Sequence, residues 1–291
     1  MVDIIEILDG VPVASDQGNI AFCSVTMLEG PDREGNTRRI LIDSAHVGRR
    51  PQLVDSLAKR GLTTQDIDYV VATHAHWDHM QNNDLFTDAT VLMHADERRY
   101  AHNPAVDDWA TPSWTGYLVE QLKLQEVGEG HEIIPGVTIM DMPGHSVGTI
   151  GVSVETPEGL AVMTSDAIHL GSVAQSGINP LIFWDEKQSE QSINRIKKRA
   201  DIIYPGHDAP FRVLADGGIE YLREPQMAVA GITPTVIDVG DALPNVMMPG
   251  RHDEQNQNLW RETAAQRIAD VVPRKYLDGA APVPQSEWDH Q

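Results

Sequence analysis

Residues 71–83 read VATHAHWDHMQNN. Between positions 74 and 79 stand His74, His76, Asp78 and His79, a density of metal-type side chains that a chance polar loop rarely reaches. His74, His76 and Asp78 recur at every second position, so in extended backbone they point one way while His79 points another. That arrangement can feed two neighbouring cations. Four ligands this close cannot complete such a site, so the remainder must arrive from elsewhere in the chain.

The flanking sequence shows how. DYVVAT is a short apolar run leading directly into the cluster, a strand that ends in ligands. The arrangement recurs: His145 follows VTIMDMPG, Asp166 follows LAVMTS, and His207 follows DIIYPG. Strand ends along one sheet edge can converge on a site held by rigid elements. Further strands are expected at 20–29, 38–44 and 90–94, then at 137–145, 149–156 and 160–166, the last two joined by a hairpin at PEG. Residues 201–208 read as strand then loop. Helices are expected at 51–61, at ADERRY (95–100) and at 186–200, whose cations fall late and complement the helix dipole. Residues 101–125 read as a polar, tryptophan-bearing excursion ending in a helix.

After about residue 225 the chain turns proline-rich and irregular, with one expected helix at 258–272. Without a repeat or an obvious linker, the expectation is a single domain over 1–291 with an irregular C-terminal extension from about 225. That extension is expected to pack on the core or on another subunit, in a homo- or hetero-oligomer.

At 291 residues the chain can bury a full core. Its net charge of −21 repels phosphate backbones and anionic lipid, which argues against nucleic acid or a membrane as partner. No apolar run approaches the roughly 18–20 residues that span a bilayer. The opening MVDIIEILDG carries acids where a leader needs cations, so a cytoplasmic location is expected. Cys23 is the only cysteine and reads as a core residue, so an intrachain disulfide is excluded. Metal ligands must then be nitrogen and oxygen, a donor set that suits Zn²⁺, Fe or Mn²⁺.

THAHWDH resembles the HxHxDH signature of the metallo-β-lactamase superfamily. His145 in PGHSVG, Asp166 in TSDAIH, His207 in YPGHD and Asp43 in LIDS match that family's other motifs in kind and order, over residues 20 to about 210. The resemblance implies an α+β fold, the αββα sandwich in which two mixed sheets pack face to face with helices outside. It implies that His74, His76 and His145 hold a first metal. Asp78, His79 and His207 would hold a second, with Asp166 bridging both and Asp43 supporting the cluster from behind.

Two divalent ions, Zn²⁺ foremost with Fe or Mn²⁺ as alternatives, would activate a hydroxide between them and polarise a substrate carbonyl. Asp78 would carry a proton to the leaving group, which makes Asp78 and Asp166 the catalytic carboxylates. The ligand set looks like that of the dinuclear cytoplasmic lactonases. The expected activity is therefore hydrolysis of a small-molecule ester-like bond, a lactone before others. Alternatives are an aryl ester or aryl ether hydrolase, a phosphodiesterase, a mononuclear-iron oxygenase of sulfur compounds, and a non-catalytic partner subunit.

Trp77, Trp114 and Trp184 are expected to line an apolar substrate pocket, Trp109 less so. His169 is expected to support the ligands from outside, and Tyr204 to pack in the core. His46 approaches from a neighbouring strand end without an assigned role. His94, His102, His131, His252 and His290 read as solvated or structural.

Overall fold

Successive residues of the central strands bury opposite faces, and that alternation builds the molecule in layers. A computed structural model describes residues 1–15, 18–224 and 227. One sheet holds β1 (Asp3–Leu8), β2 (Val25–Pro31), β3 (Thr37–Ile42), β4 (Tyr69–Val71), β5 (Thr90–His94) and β6 (Leu124–Val127), side by side in chain order. The other holds β7 (Glu132–Ile134), β8 (Val137–Asp141), β9 (Ile150–Thr156), β10 (Gly159–Ser165), β11 (Ile202–Pro205), β12 (Phe211–Val213) and β13 (Ile219–Tyr221), again in chain order. A two-residue ribbon, Ala14–Ser15 with Gly18–Asn19, stands apart.

Both sheets are mixed. The β3–β4, β4–β5, β5–β6 and β10–β11 pairs are parallel and the rest antiparallel. Between the sheets lie Leu28, Ile40, Ile42, Val71 and Leu92 from one and Ile139, Val152, Val154 and Met163 from the other. Their chain neighbours Met27, Leu41, Val70 and Val91 face outward beneath Leu53 and Leu57 of α1 (Arg50–Ala58). Met80 of α2 (Trp77–Met80), Ala101 of α3 (Ala95–His102) and Val119 of α4 (Thr115–Val119) join that outer cluster, while α5 (Gly171–Ser176) and α6 (Glu186–Arg199) lie over the other sheet. Ile193 and Ile196 of α6 cover Met140, Val162 and Ile203. These four layers are the expected αββα sandwich. Each fully buried aliphatic side chain contributes about 1.5–3 kcal/mol. Leu92→Ala, at a site with no exposed surface, would cost about 2–5 kcal/mol.

Helix α6 starts where Asp185 Oδ1 accepts from Gln188 N at 2.7 Å, and its last turn carries Lys197, Lys198 and Arg199. Several expectations are corrected. The strand expected at 20–29 begins at Val25, because Ala21 takes a left-handed φ of 48° and breaks the run. The excursion holds the short helix α4 but ends in strand β6, not in a helix. Strand β1 was not expected at all. The helix at 258–272, His252, His290 and, apart from Met227, the extension from about 225 lie outside the described residues. Among the described residues, no helix is long and apolar enough to cross a membrane.

What matters for the site is direction. Because β3 runs parallel to β4, and β10 to β11, the residues after each of these strands leave the sandwich at a common edge. Strand β8 points the same way, being antiparallel to β9, which is antiparallel to β10.

Candidate metal centre

Each ligand is delivered by one of these exits. Val71 ends β4, Thr73 O accepts from Ile150 N at 2.9 Å across to the second sheet, and His74 and His76 follow. Asp78 and His79 sit in α2. His145 hangs from the turn after β8, where Gly144 at φ +135° lies so close to α6 that a Cβ would be 2.2 Å from Ser189 N. Asp166 opens a short 3₁₀ turn after β10, and His207 follows Gly206, whose missing Cβ would fall 2.2 Å from Asp166 Oδ1. Ser165 (φ 45°) and Asp43 (φ 60°) both adopt left-handed backbone beside the ligands, strain of the kind that concentrates at functional sites.

Two groups of ligand atoms result, each within 4.8 Å: His74, His76, His145 and Asp166, and then Asp78, His79 and His207. In the first, His145 Nε2 stands 3.3 Å from His74 Nε2 and 3.0 Å from His76 Nδ1. In the second, His79 Nε2 and His207 Nε2 are 3.3 Å apart, with Asp78 Oδ2 at 3.4 and 3.3 Å from them. Asp166 reaches both groups. Its Oδ2 is 3.5 Å from His145 Nε2, and its Oδ1 is 3.4 Å from His79 Nε2 and 3.3 Å from His207 Nε2.

The outward nitrogens test whether cations fit. His74 Nδ1 lies 3.0 Å from Thr73 Oγ1, His79 Nδ1 2.8 Å from Asp43 Oδ2, and His145 Nδ1 2.7 Å from the Leu181 carbonyl. A neutral imidazole has one N–H. Spending it on the outward acceptor leaves a lone pair on the inward nitrogen, and lone pairs facing one another at about 3 Å repel unless a proton or a metal cation lies between them; burial disfavours the proton at His74 and His145. The donor set fits two divalent ions.

Charge in the centre is unevenly shared. Burial and the neighbouring His79, His76 and His145 hold His74 well below the usual imidazole range, and burial takes His145 down to about 3. His79 goes the other way: burial opposes protonation, but the Asp78 and Asp166 carboxylates outweigh it and lift His79 well above its ordinary value. His207 is raised against burial by Asp166. Burial would raise Asp166, yet His207 and His79 beside it hold the carboxyl well below the normal range.

Behind the ligands is a network that sequence reasoning identified only at Asp43. Thr73 Oγ1 bonds both Asp43 carboxylate oxygens, at 2.8 and 3.0 Å, and the Ser165 hydroxyl at 2.7 Å. Buried Glu97 accepts from Ala75 N at 2.7 Å, Ser146 Oγ at 2.7 Å and Gly148 N at 2.8 Å, tying the loop of His74 and His76 to that of His145. The available cue was a glutamate on the helix face that also carries Tyr100 and Ala101, positions the 3.6-residue period buries.

The tryptophans divide. Trp77 and Trp114 share the wall of a cavity of about 470 Å³ with Met80, Phe86 and Leu118. Trp77 and Met80 of α2 and Gln81, which caps it, line one side, and none of the seven candidate metal ligands lines this cavity. Trp184 is fully buried in a cluster with Tyr100, Ala105 and Val147, so the expectation that it lines a substrate pocket is corrected to core packing. Tyr204 packs against the core between the sheets. His169, buried beside the site, is taken down to about 4 by burial against the opposing charge of Asp166, and its carbonyl accepts from His207 N at 2.8 Å. His46 stacks on Phe22 and lies tilted by 50° against Trp77. Cys23 is buried, donates to the Asp78 carbonyl at 2.9 Å and is pushed up to about 12 by burial, far from a nucleophile.

Comparisons with known proteins bear on the family and the fold. The family model described as the metallo-beta-lactamase superfamily matches residues 19–207. Metallo-beta-lactamase domain-containing protein 1 of Xenopus laevis is 33% identical over 195 residues, covering 67% of this chain and 74% of the relative. N-acyl homoserine lactonase of Bacillus cereus is 25% identical over 162 residues, 54% of this chain and 62% of the relative. Among solved structures, a mutant of B. thuringiensis AiiA with N-decanoyl-L-homoserine at its active site superposes with TM-score 0.56 at 22% identity, covering 71% of this chain and 92% of that one.

Proposed function

This chain belongs to the metallo-β-lactamase superfamily, and on that footing we propose that it is a dinuclear metal-dependent hydrolase of a small-molecule ester-like bond, a lactone before others. The observation that carries the reading is the pair of ligand groups joined by one carboxylate, Asp166. When bound, two divalent ions, Zn²⁺ first, supply Lewis acidity that makes water nucleophilic near neutral pH and polarises an acyl carbonyl.

The protein's own residues do the rest. His74, His76 and His145 would hold one ion and Asp78, His79 and His207 the other, with Asp166 within reach of both groups. Asp78, kept a carboxylate against its burial by His79 and His207, turns Oδ2 to the imidazoles and leaves Oδ1 without a partner among the described residues, able to take the proton that the attacking water gives up and pass it to the leaving alkoxide. The His207 side chain, 13% exposed, marks the side open to substrate. A net charge of −21 favours a small neutral substrate over a polyanion, and the lactonase relatives support a lactone.

The test is metal analysis followed by turnover on lactones, aryl esters, aryl ethers and bis-aryl phosphodiesters. The expected result is two ions per chain, loss of turnover on chelation with recovery on Zn²⁺, and preference for lactones. Preference for phosphodiesters over every carbonyl substrate, or one iron per chain with oxygen consumption, overturns it.

A further inference from the structure

His76 differs from its companions in the first group. His74 and His145 turn Nε2 inward, whereas His76 turns Nδ1 inward. A reversed ring needs its acceptor on the other side, at Nε2. There the nearest acceptor is Asp108 Oδ2 at 3.5 Å, the outer limit of a hydrogen bond, and His76 Nε2 has no closer partner among the described residues. Both side chains are sealed from water, 3% and 0% exposed.

Asp108 is itself held from every side. Its Oδ1 accepts from Ala110 N at 2.7 Å and Thr111 N at 3.0 Å, and its Oδ2 accepts the Tyr100 hydroxyl at 2.8 Å. A buried carboxylate bonded this way has one direction left for unsatisfied charge, toward His76. The loop that carries it is anchored to the site twice more. Ala110 O accepts from Trp77 N at 2.9 Å, and the Trp109 ring packs 5.7 Å from Phe183, which lies edge-on to His76 at 4.5 Å.

We infer that Asp108, steadied by Tyr100, is the positioning residue that makes His76 present Nδ1 to the first cation. A carboxylate beside Nε2 favours the tautomer with its proton there and leaves the Nδ1 lone pair facing inward. Asp108 thus does for the reversed ring what Thr73 and the Leu181 carbonyl do for His74 and His145. The loop of residues 103–114, inside the excursion of 101–125, then acts on cation affinity.

The inference rests on the reading of this centre as a cation site, and the experiment separates the two. Zn²⁺ affinity and stoichiometry are measured by competition with a chromophoric chelator for wild type, Asp108→Asn, Asp108→Glu and Tyr100→Phe, with the melting temperature of each metal-free protein. Asn keeps an oxygen for the loop amides but turns an N–H₂ toward His76, reversing the favoured tautomer.

Asp108→Asn should weaken one of the two sites by about 10–100-fold while the other changes less than about twofold. Tyr100→Phe, which keeps the ring and removes only the phenol, should weaken the same site less, and Asp108→Glu should recover part of the loss. Wild type that binds no Zn²⁺ overturns both readings. Wild type that binds two ions while the variants lose melting temperature but no affinity overturns this one alone, showing that Asp108 only shapes the loop.

Discussion

The two ligand groups are built to different depths. Around the first, the His76 and His145 side chains are 3% and 0% exposed, and the His74 and His145 rings are fixed by outward acceptors. In the second, His79 is fully buried on Asp43, but Asp78 and His207 reach the surface at 7% and 13%. Depth costs desolvation and returns rigidity, and exposure does the reverse. The first group is therefore suited to retaining its ion, and the second to exchanging water and meeting substrate.

Asp166 is where the two depths are joined, so Asp166→Asn should remove the comparison altogether. An amide is uncharged and cannot bridge two cations as a carboxylate does. Turnover should fall at least about 10³-fold, about 4 kcal/mol of transition-state stabilisation, with metal content dropping below two per chain. Retained turnover would mean that the groups work independently. Asp43→Asn should do less, though at both depths. Its carboxylate serves His79 directly and, through Thr73, His74. Affinity should fall about 10–100-fold at both sites, unlike the one-site loss expected at Asp108. Chelator titration read out by metal content discriminates the two positions.

How far the sequence alone revealed this depends on what each residue needs in order to be recognised. His74, His76, Asp78, His79, His145, Asp166 and His207 each follow an apolar run, and their chemistry is a property of the side chain itself. Both cues are local. Asp108 and Glu97 look like any solvated acid in DDW and ADERRY; only the folded chain buries them against His76 and against the Ala75 and Gly148 amides. Trp184 failed for the converse reason, since an aromatic ring lines a cavity or fills a core with the same sequence signature. Strand β1 escaped because Asp3 and Glu6 break up its apolar run, as suits a strand at the edge of its sheet.

A smaller effect sharpens the contrast between depths. Under limiting chelator the ion of the second group should leave first, giving a one-metal protein before a metal-free one. Each 1.4 kcal/mol of difference separates the steps by about tenfold in chelator concentration. Simultaneous loss of both ions would show that Asp166 couples them more strongly than burial divides them.

The smallest prediction concerns a partly buried carboxylate that serves the fold instead of the cations. Glu120, at the end of α4, accepts from Arg98 Nε at 2.8 Å and Nη2 at 2.5 Å, with His102 Nε2 at 2.9 Å, which pins α4 to α3. Burial would raise this carboxyl, but the bonds from His102 and Arg98 outweigh it and bring it down from 4.5 to about 2. Because the folded chain releases this proton more readily than the unfolded one, its contribution is complete above about pH 4.5 and is lost as pH falls toward 2. Discounted for the water that still reaches the cluster, it is of order 1–2 kcal/mol. Glu120→Gln should lower the melting temperature of the metal-free protein at pH 7, and the gap from wild type should close as pH falls through that window. Cation affinity should not move, since none of these groups touches the centre; a loss of affinity with Glu120→Gln would mean that α3, which carries Glu97 and Tyr100, transmits strain to the ligands.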